Sequence, residues 1–368
     1  MQNLTSSADV KKRAANWPVS HISQSRRSFM NLRYIISLLR IMRIPGLYPI
    51  MKDWQAFIRM HFIFSAYESG LLKALSIPSN RDRLIKELDV KRQEILDALL
   101  EVGLASKELE LKNGLFSIKG KRSKAITADN GDMLAAMIQG NVTYYSDAYR
   151  NARHRMNGAE LGDDLSKIGD LVARFSKISE PLIKNFIANI VHDKNPMRVL
   201  DVGCGSGILL KSSYDANSDA TGVGIDIDEK VVQQARANIS TWGLSDRFEI
   251  RHGDIRHISD EIMGAFDVIT LYNLLYYFGK EDRFDLIKIL RKKLSPDGVL
   301  AVAMSFNSKG KDLATANLNM VNSSLKGLTP LPQLNDIISI LRACGFANIK
   351  IHRFMPGSTF YGLVASQN

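Results

Sequence analysis

Apolar residues recur with one period in the second half of the chain and another in the first. From about residue 196 onward, short apolar runs alternate with amphipathic stretches. The runs at 199–202, 221–226, 247–251, 266–273, 299–304, 347–353 and 359–365 have the length and side-chain content of strands. Helical spacing appears between them at 208–214, 282–294, 312–324 and 334–344, and Gly345 stands where a left-handed cap would end the last of these. Ser295-Pro296-Asp297-Gly298 carries a turn signature. This alternation predicts an α/β fold, a mostly parallel sheet with helices on both faces. Before residue 141 the pattern is mostly helical. Residues 60–75, 81–88 and 93–102 read as three helices, and 109–118 as a hairpin in which Asn113-Gly114 supplies a type I′ turn. Three helices followed by a hairpin make a winged-helix pattern. Ahead of it, 29–44 is strongly apolar, with Arg33, Ser37 and Arg40 on one narrow stripe, Arg43 interrupting the apolar side, and Pro45-Gly46 ending the run.

Within the second half, Val199-Leu200-Asp201-Val202-Gly203-Cys204-Gly205-Ser206-Gly207 reads as a buried strand that ends in an acid and breaks into a glycine turn. Alternate glycines allow positive φ and let a ligand approach the backbone closely. A phosphate would prefer a bare helix N-terminus. Asp201 instead suits a ligand carrying a cationic amino group. Asp226 follows Gly207 by nineteen positions, a spacing that places an acid to accept both hydroxyls of a ribose. Ile227 is positioned to cover one face of an adenine, Asp254 to accept its exocyclic amine, and Asn273 closes the fourth strand beside the crevice.

These four motifs, in this order and spacing, resemble those of class I S-adenosylmethionine-dependent methyltransferases, over about 196–368. The resemblance implies a Rossmann-like seven-stranded domain whose last two strands form an antiparallel hairpin. It implies that Gly203, Gly205 and Gly207 carry the methionine part of S-adenosylmethionine, with Asp201 near its amino group. Asp226 and Ile227 would hold the ribose and adenine, and Asp254, Ile255 and Asn273 would complete the cofactor site. The winged-helix pattern resembles the dimerisation domain of small-molecule O-methyltransferases of the natural-product type. The division expected is a basic arm at 1–50, a winged-helix-like dimerisation domain at 51–140, a helical linker at 141–195 and the methyltransferase domain at 196–368. A homodimer follows from the same resemblance.

Charge separates the segments. Residues 1–60 hold ten Lys/Arg against two Asp/Glu, residues 61–196 twenty against eighteen, and residues 197–368 nineteen against eighteen. A nucleic-acid methyltransferase is expected to carry positive charge around its crevice, so the near-neutral C-terminal half argues for a small-molecule substrate. The candidate recognition helix, with Lys91 and Arg92 against Glu94, Asp97 and Glu101, is net acidic and poorly suited to DNA. Two cysteines, Cys204 and Cys344, set up neither a disulfide framework nor a metal site, and a reducing cytoplasm is the expected compartment. Residues 1–28 are serine-rich and basic, which fits a disordered leader, with a targeting peptide as the alternative. Three arginines argue against 29–44 spanning a membrane. They leave an interfacial amphipathic helix peripheral to a membrane, or a helix exchanged with a partner subunit, which the resemblance favours.

The chemistry departs from the family. Its O-methyltransferases place a histidine base shortly after the fourth strand; here the stretch is Asn273-Leu274-Leu275-Tyr276-Tyr277-Phe278, and no histidine lies between His257 and His352. Tyr276 falls on the histidine's position, and Tyr276 and Asn273 are the catalytic candidates. With an unperturbed pKa near 10, a tyrosine is a poor base at pH 7. The expectation is therefore methylation of a carbon, a nitrogen or an already acidic oxygen. Tyr144, Tyr145, Tyr149, Tyr277, Asn317 and Met320 are the expected substrate-pocket residues. The alternative is a non-catalytic, cofactor-binding winged-helix regulator or scaffold.

Overall fold

The computed structural model describes residues 32–162, 169–191, 197–258, 262 and 264–367. The chain divides into two compact units, Met1–Ile58 and Arg59–Asn368. The serine-rich stretch 1–28 and the first residues of the apolar run lie outside the described residues.

In the first unit the apolar run forms the helix Leu32–Met42. It stops before Arg43, so the arginine expected to interrupt its apolar side falls in the following turn instead. A second helix, Leu47–Glu68, follows. Among the described residues no single helix is long and apolar enough to cross a membrane.

The second unit begins with a helical region. The single helix expected at 60–75 is two: Leu47–Glu68 ends, Gly70 turns at φ 76°, and Leu71–Ala74 resumes. A Ser-Gly pair absorbs the break, because glycine takes positive φ without steric cost. Helices Arg81–Glu87 and Gln93–Ala105 follow, then strands β1 (Leu109–Lys112) and β2 (Leu115–Ile118). Their hairpin turns through Asn113 (φ 52°) and Gly114 (φ 76°), as the Asn-Gly signal requires. Gly103 lets these pieces close up: a Cβ there would lie 2.6 Å from Leu109 and 2.7 Å from Phe62. The core of this region is built on Phe62, Leu71, Leu72, Leu84, Leu100, Leu109 and Phe116. Each such side chain fully withdrawn from water contributes about 1.5–3 kcal/mol.

A seven-stranded sheet occupies the C-terminal half in the order β5-β4-β3-β6-β7-β9-β8. The strands are β3 (Arg198–Val202), β4 (Thr221–Asp226), β5 (Phe248–His252), β6 (Phe266–Tyr272), β7 (Leu294–Ser305), β8 (Asn348–Arg353) and β9 (Phe360–Ser366). All neighbours run parallel except β9, which is antiparallel to both β7 and β8. One departure from expectation is local. Ser295-Pro296-Asp297-Gly298 does not precede β7 but lies within it, as an irregularity where Phe266 pairs with Leu294 and Val268 with Val299. Pro296 lacks the amide a regular ladder needs, so the strand bulges there. Strand order reverses between β3 and β6, and the crevice beyond their carboxyl ends is the ligand position of open α/β sheets. A small separate core, Ala148, Val321 and Leu325 with Tyr145 and Leu328 against it, ties the linker to the region after β7.

Candidate active site

β3 carries Asp201 into the interior, 1% exposed. In parallel register it faces Thr270 of β6, whose hydroxyl donates to Asp201 Oδ1 at 2.6 Å. Oδ2 is buried and has no hydrogen-bond partner. Burial raises the carboxyl to about 7; the Thr270 hydrogen bond opposes that rise and the Asp226 charge adds to it. The glycine turn follows with Gly203, Gly205 and Gly207 at φ 71°, 53° and 80°. The Gly203 and Cys204 amides donate to the Ile225 carbonyl at 2.8 and 2.9 Å, which closes the turn onto β4. A Cβ on Gly203 would strike Leu274 at 2.7 Å, whereas one on Gly205 would meet nothing within 4 Å. Gly205 therefore borders open space. Gly207 opens the helix Ile208–Ala216.

Asp226 ends β4 and is held by backbone amides: Gly205 N donates to Oδ2 at 3.0 Å and Asp228 N to Oδ1 at 3.1 Å. Next to it Ile227 is 67% exposed, an apolar side chain free to cover a flat ring. His252 at the end of β5 reaches the Ile227 carbonyl (3.0 Å) and Glu229 (3.2 Å), at the edge of this surface. Asp254 is already engaged. Arg256 donates to both its oxygens, the shortest contact being 2.6 Å, and holds the carboxyl below its usual range. The same guanidinium lies 5.1 Å over the Phe278 ring. An adenine amine would thus share Asp254 with Arg256. Ile255, expected among the cofactor contacts, is instead a core residue at 3% exposure, because it begins the helix Ile255–Ile258 with its side chain turned into the sheet packing. Only its backbone is left to offer a ligand.

Asn273 follows β6 at φ 49°, a left-handed position that asparagine tolerates better than most residues, and its amide is tied to the Ala303 carbonyl. The chain then forms a 3₁₀ turn, Leu275–Tyr277. Tyr276 is 8% exposed and its ring lies 5.0 Å from that of Tyr277. Burial raises the Tyr276 phenol well above its ordinary value, and Tyr277, Tyr272 and Tyr145 push it the same way. Tyr276 therefore stays protonated at neutral pH, as a hydrogen-bond donor and not a base. Tyr277 keeps 41% of its surface, yet the protein crowded round its hydroxyl and the Asp226 charge raise its phenol too. Tyr272 meets Ser179 at 2.5 Å between hydroxyl oxygens.

The turn is clamped from behind. Arg283, 6% exposed, donates to the Leu275 carbonyl at 2.8 Å and to Thr329 Oγ1 at 2.6 Å. Thr329 in turn donates its amide (2.8 Å) and its hydroxyl (2.9 Å) to the Tyr276 carbonyl.

The remaining pocket candidates scatter more. Tyr145 is half-buried beside the small core, and Tyr144 is half-buried in the same π-helical segment, Asn141–Tyr145. Tyr149 is 55% exposed, and its hydroxyl donates to Asn317 Oδ1 at 2.9 Å, linking Ser146–Arg150 to the helix Leu313–Asn322. Met320 is half-buried on that helix. Asn322, 2% exposed, has no partner for its Nδ2. Among the described residues no cluster of three His, Cys, Asp or Glu side chains has the arrangement of a metal site.

Residues 199–298 match a family model described as a methyltransferase domain. Over those residues the chain carries a methyltransferase domain. A ubiquinone biosynthesis O-methyltransferase of Bordetella avium is 34% identical over 95 residues, 26% of this chain and 38% of that protein. The chain spans less than half the length of the first curated relatives it matches, 34–44%. Among solved structures, the mitomycin 7-O-methyltransferase MmcR superposes with a TM-score of 0.74 at 16% identity, over 89% of this chain and 100% of that one. Human N-acetylserotonin methyltransferase in complex with SAM gives 0.68 at 14% identity, over 89% and 99%. These two extend the fold likeness through the helical region. The methyltransferase domain's own residues fit the cofactor. The orphaned Asp201 Oδ2 awaits a donor of the kind an α-amino group provides, and Gly205 leaves the space that a Cβ would fill.

Proposed function

We propose that the protein transfers a methyl group to a small molecule whose nucleophile needs no base from the protein. The acceptor is an oxygen acid ionised near neutrality, an enolisable carbon or a neutral amine. The observation that carries this reading is Tyr276, at the position where the family's histidine base is expected, buried and held protonated. A protonated phenol cannot remove a proton, but it can donate to an oxygen of the acceptor and fix its orientation. When bound, S-adenosylmethionine supplies a methyl group on an already activated sulfonium. Asp201, Asp226 and the glycine turn bind and orient it, and the crevice beside Asn273 and Tyr276 receives the acceptor.

Nearly balanced charge over 197–368 supports a small molecule over a nucleic acid. The protein works as a homodimer paired through 51–140, a reading supported by that region's likeness to a dimerisation domain. Free, buried Cys204 and Cys344 suit a reducing compartment such as the cytoplasm. The test is incubation of the purified protein and S-adenosylmethionine with acidic phenols, β-dicarbonyl compounds and amines, read by mass spectrometry. Gain of one methyl by a member of these classes, with a rate that follows the acceptor's own ionisation, supports the reading. A preference for weakly acidic phenols, governed by an enzyme group titrating near neutrality, would refute it.

A further inference from the structure

Arg256 touches two parts of the fold that the sequence keeps apart. Its amide donates to Asp254 Oδ1 at 2.9 Å, its Nε to both carboxylate oxygens at 3.1 Å and its Nη2 to Oδ2 at 2.6 Å. On its other side the guanidinium carbon lies 5.1 Å from the centre of the Phe278 ring. Phe278 is 8% exposed and directly follows the turn Leu275–Tyr277. Nη1 stands 4.0 Å from Asp282, which accepts from the Gly279 amide at 3.3 Å where the helix Lys280–Lys292 begins. The Asp254 side chain keeps 12% of its surface and that of Arg256 37%, so the acid is largely out of water and the base is partly open.

We propose that Arg256 is a positioning residue, which fixes the Asp254 carboxylate for an adenine amine and ties that acid to the turn carrying Tyr276. The proposal rests on Asp254 receiving the adenine. A carboxylate has about four lone-pair directions. Three donor groups of Arg256 take most of them, which sets the orientation of the oxygens and leaves room for one more donor. A bare carboxylate would have to shed water as the ring covered it. The paired one is desolvated and aimed before the ligand arrives. Arginine suits both contacts, because its planar fork spans two oxygens and its face stacks on an aromatic ring. A shift of the Phe278 ring therefore shifts the guanidinium, and with it the acid. One side chain thus joins the adenine end of the site to the acceptor turn.

The experiment is calorimetric titration of the full chain with S-adenosylhomocysteine, with thermal unfolding of each variant alongside. Arg256→Ala should weaken binding roughly tenfold, and Arg256→Lys nearly as much, since an ammonium cannot span both oxygens. Phe278→Leu, which removes none of the Asp254 contacts, should weaken binding roughly threefold and add nothing to Arg256→Ala in the double variant. A purely structural pair would lower the unfolding temperature and leave affinity alone, and that result overturns the proposal. Tighter binding by Arg256→Ala would make the arginine a competitor of adenine and overturns it too, as do full recovery by lysine and additive losses in the double variant. Asp254→Ala separates the proposal from the assignment beneath it. Unchanged affinity there removes the adenine assignment and this proposal with it, whereas a loss there beside unchanged affinity in Arg256→Ala refutes the role of Arg256 alone.

Discussion

Replacing Asp201 by asparagine should stabilise the cofactor-free protein at pH 8 and weaken its grip on the cofactor. The carboxyl is fully buried, has one oxygen unpartnered, and is raised from 3.8 to about 7. A folded-state acid raised in this way holds a proton that the unfolded chain releases between about pH 4 and 7. Its contribution to stability is thus full below the unfolded value and lost as pH rises through the folded one. At 1.36 kcal/mol per unit, ionised Asp201 costs the cofactor-free fold up to about 4 kcal/mol at pH 8. Asparagine removes that cost, keeps a carbonyl for Thr270, and leaves an unpaired amide worth about 1–3 kcal/mol. The net expectation is a gain of about 1–3 kcal/mol at pH 8. At pH 5 the native carboxyl is already neutral, so the substitution is neutral or destabilising. Cofactor affinity should fall roughly 10- to 100-fold, the loss of a charge-assisted hydrogen bond. Urea denaturation of the stripped protein at pH 5 and pH 8, with calorimetric titration of both proteins, reads every part. Destabilisation at both pH values, or unchanged cofactor affinity, would refute the reasoning.

Other residues give sharper local tests. Asp226→Ala should weaken cofactor binding by about 1–3 kcal/mol in the same titration, because two backbone amides and the ribose lose their acceptor; unchanged affinity would mean the ribose sits elsewhere. Tyr276→Phe should lower turnover while leaving cofactor affinity within about twofold, since the role proposed for the phenol is toward the acceptor alone; equal turnover would remove Tyr276 from the mechanism. Thr329→Val strips one of two hydrogen bonds to the Tyr276 carbonyl, and it should raise KM and cost about 0.5–1.5 kcal/mol of stability. A loss of stability with unchanged KM would limit Thr329 to a structural role.

Much of the fold was legible because strands buried on both faces announce themselves as short apolar runs. Thr221 to Asp226 is bounded in the structure as the pattern bounds it, and the Asn113-Gly114 turn took its conformation from local chemistry alone. Where local signals compete, the pattern misled. Ser295-Pro296-Asp297-Gly298 has every mark of a free turn, but pairing on either side draws it into β7. Apolar residues on either side of the break let 60–75 read as one helix and hid the turn at Gly70. Ile255 lies beside an expected ligand acid, yet its side chain belongs to the core. Thr270, partner of Asp201, was recoverable, since aligning β3 with β6 places the two opposite each other. Arg256 on Asp254, two residues away, carried no distinguishing signal. The Arg283–Thr329 clamp joins positions 46 apart, a contact only the tertiary fold creates.

The central claim is that the glycine turn, Asp201 and Asp226 form a working S-adenosylmethionine site. Calorimetric titration of the stripped, folded protein with S-adenosylmethionine and S-adenosylhomocysteine tests it most directly. The account predicts saturable binding of either ligand at one per chain, weakening for both as the pH drops below about 7 and Asp201 gains its proton. Absence of binding, or binding indifferent to pH across that range, would contradict it.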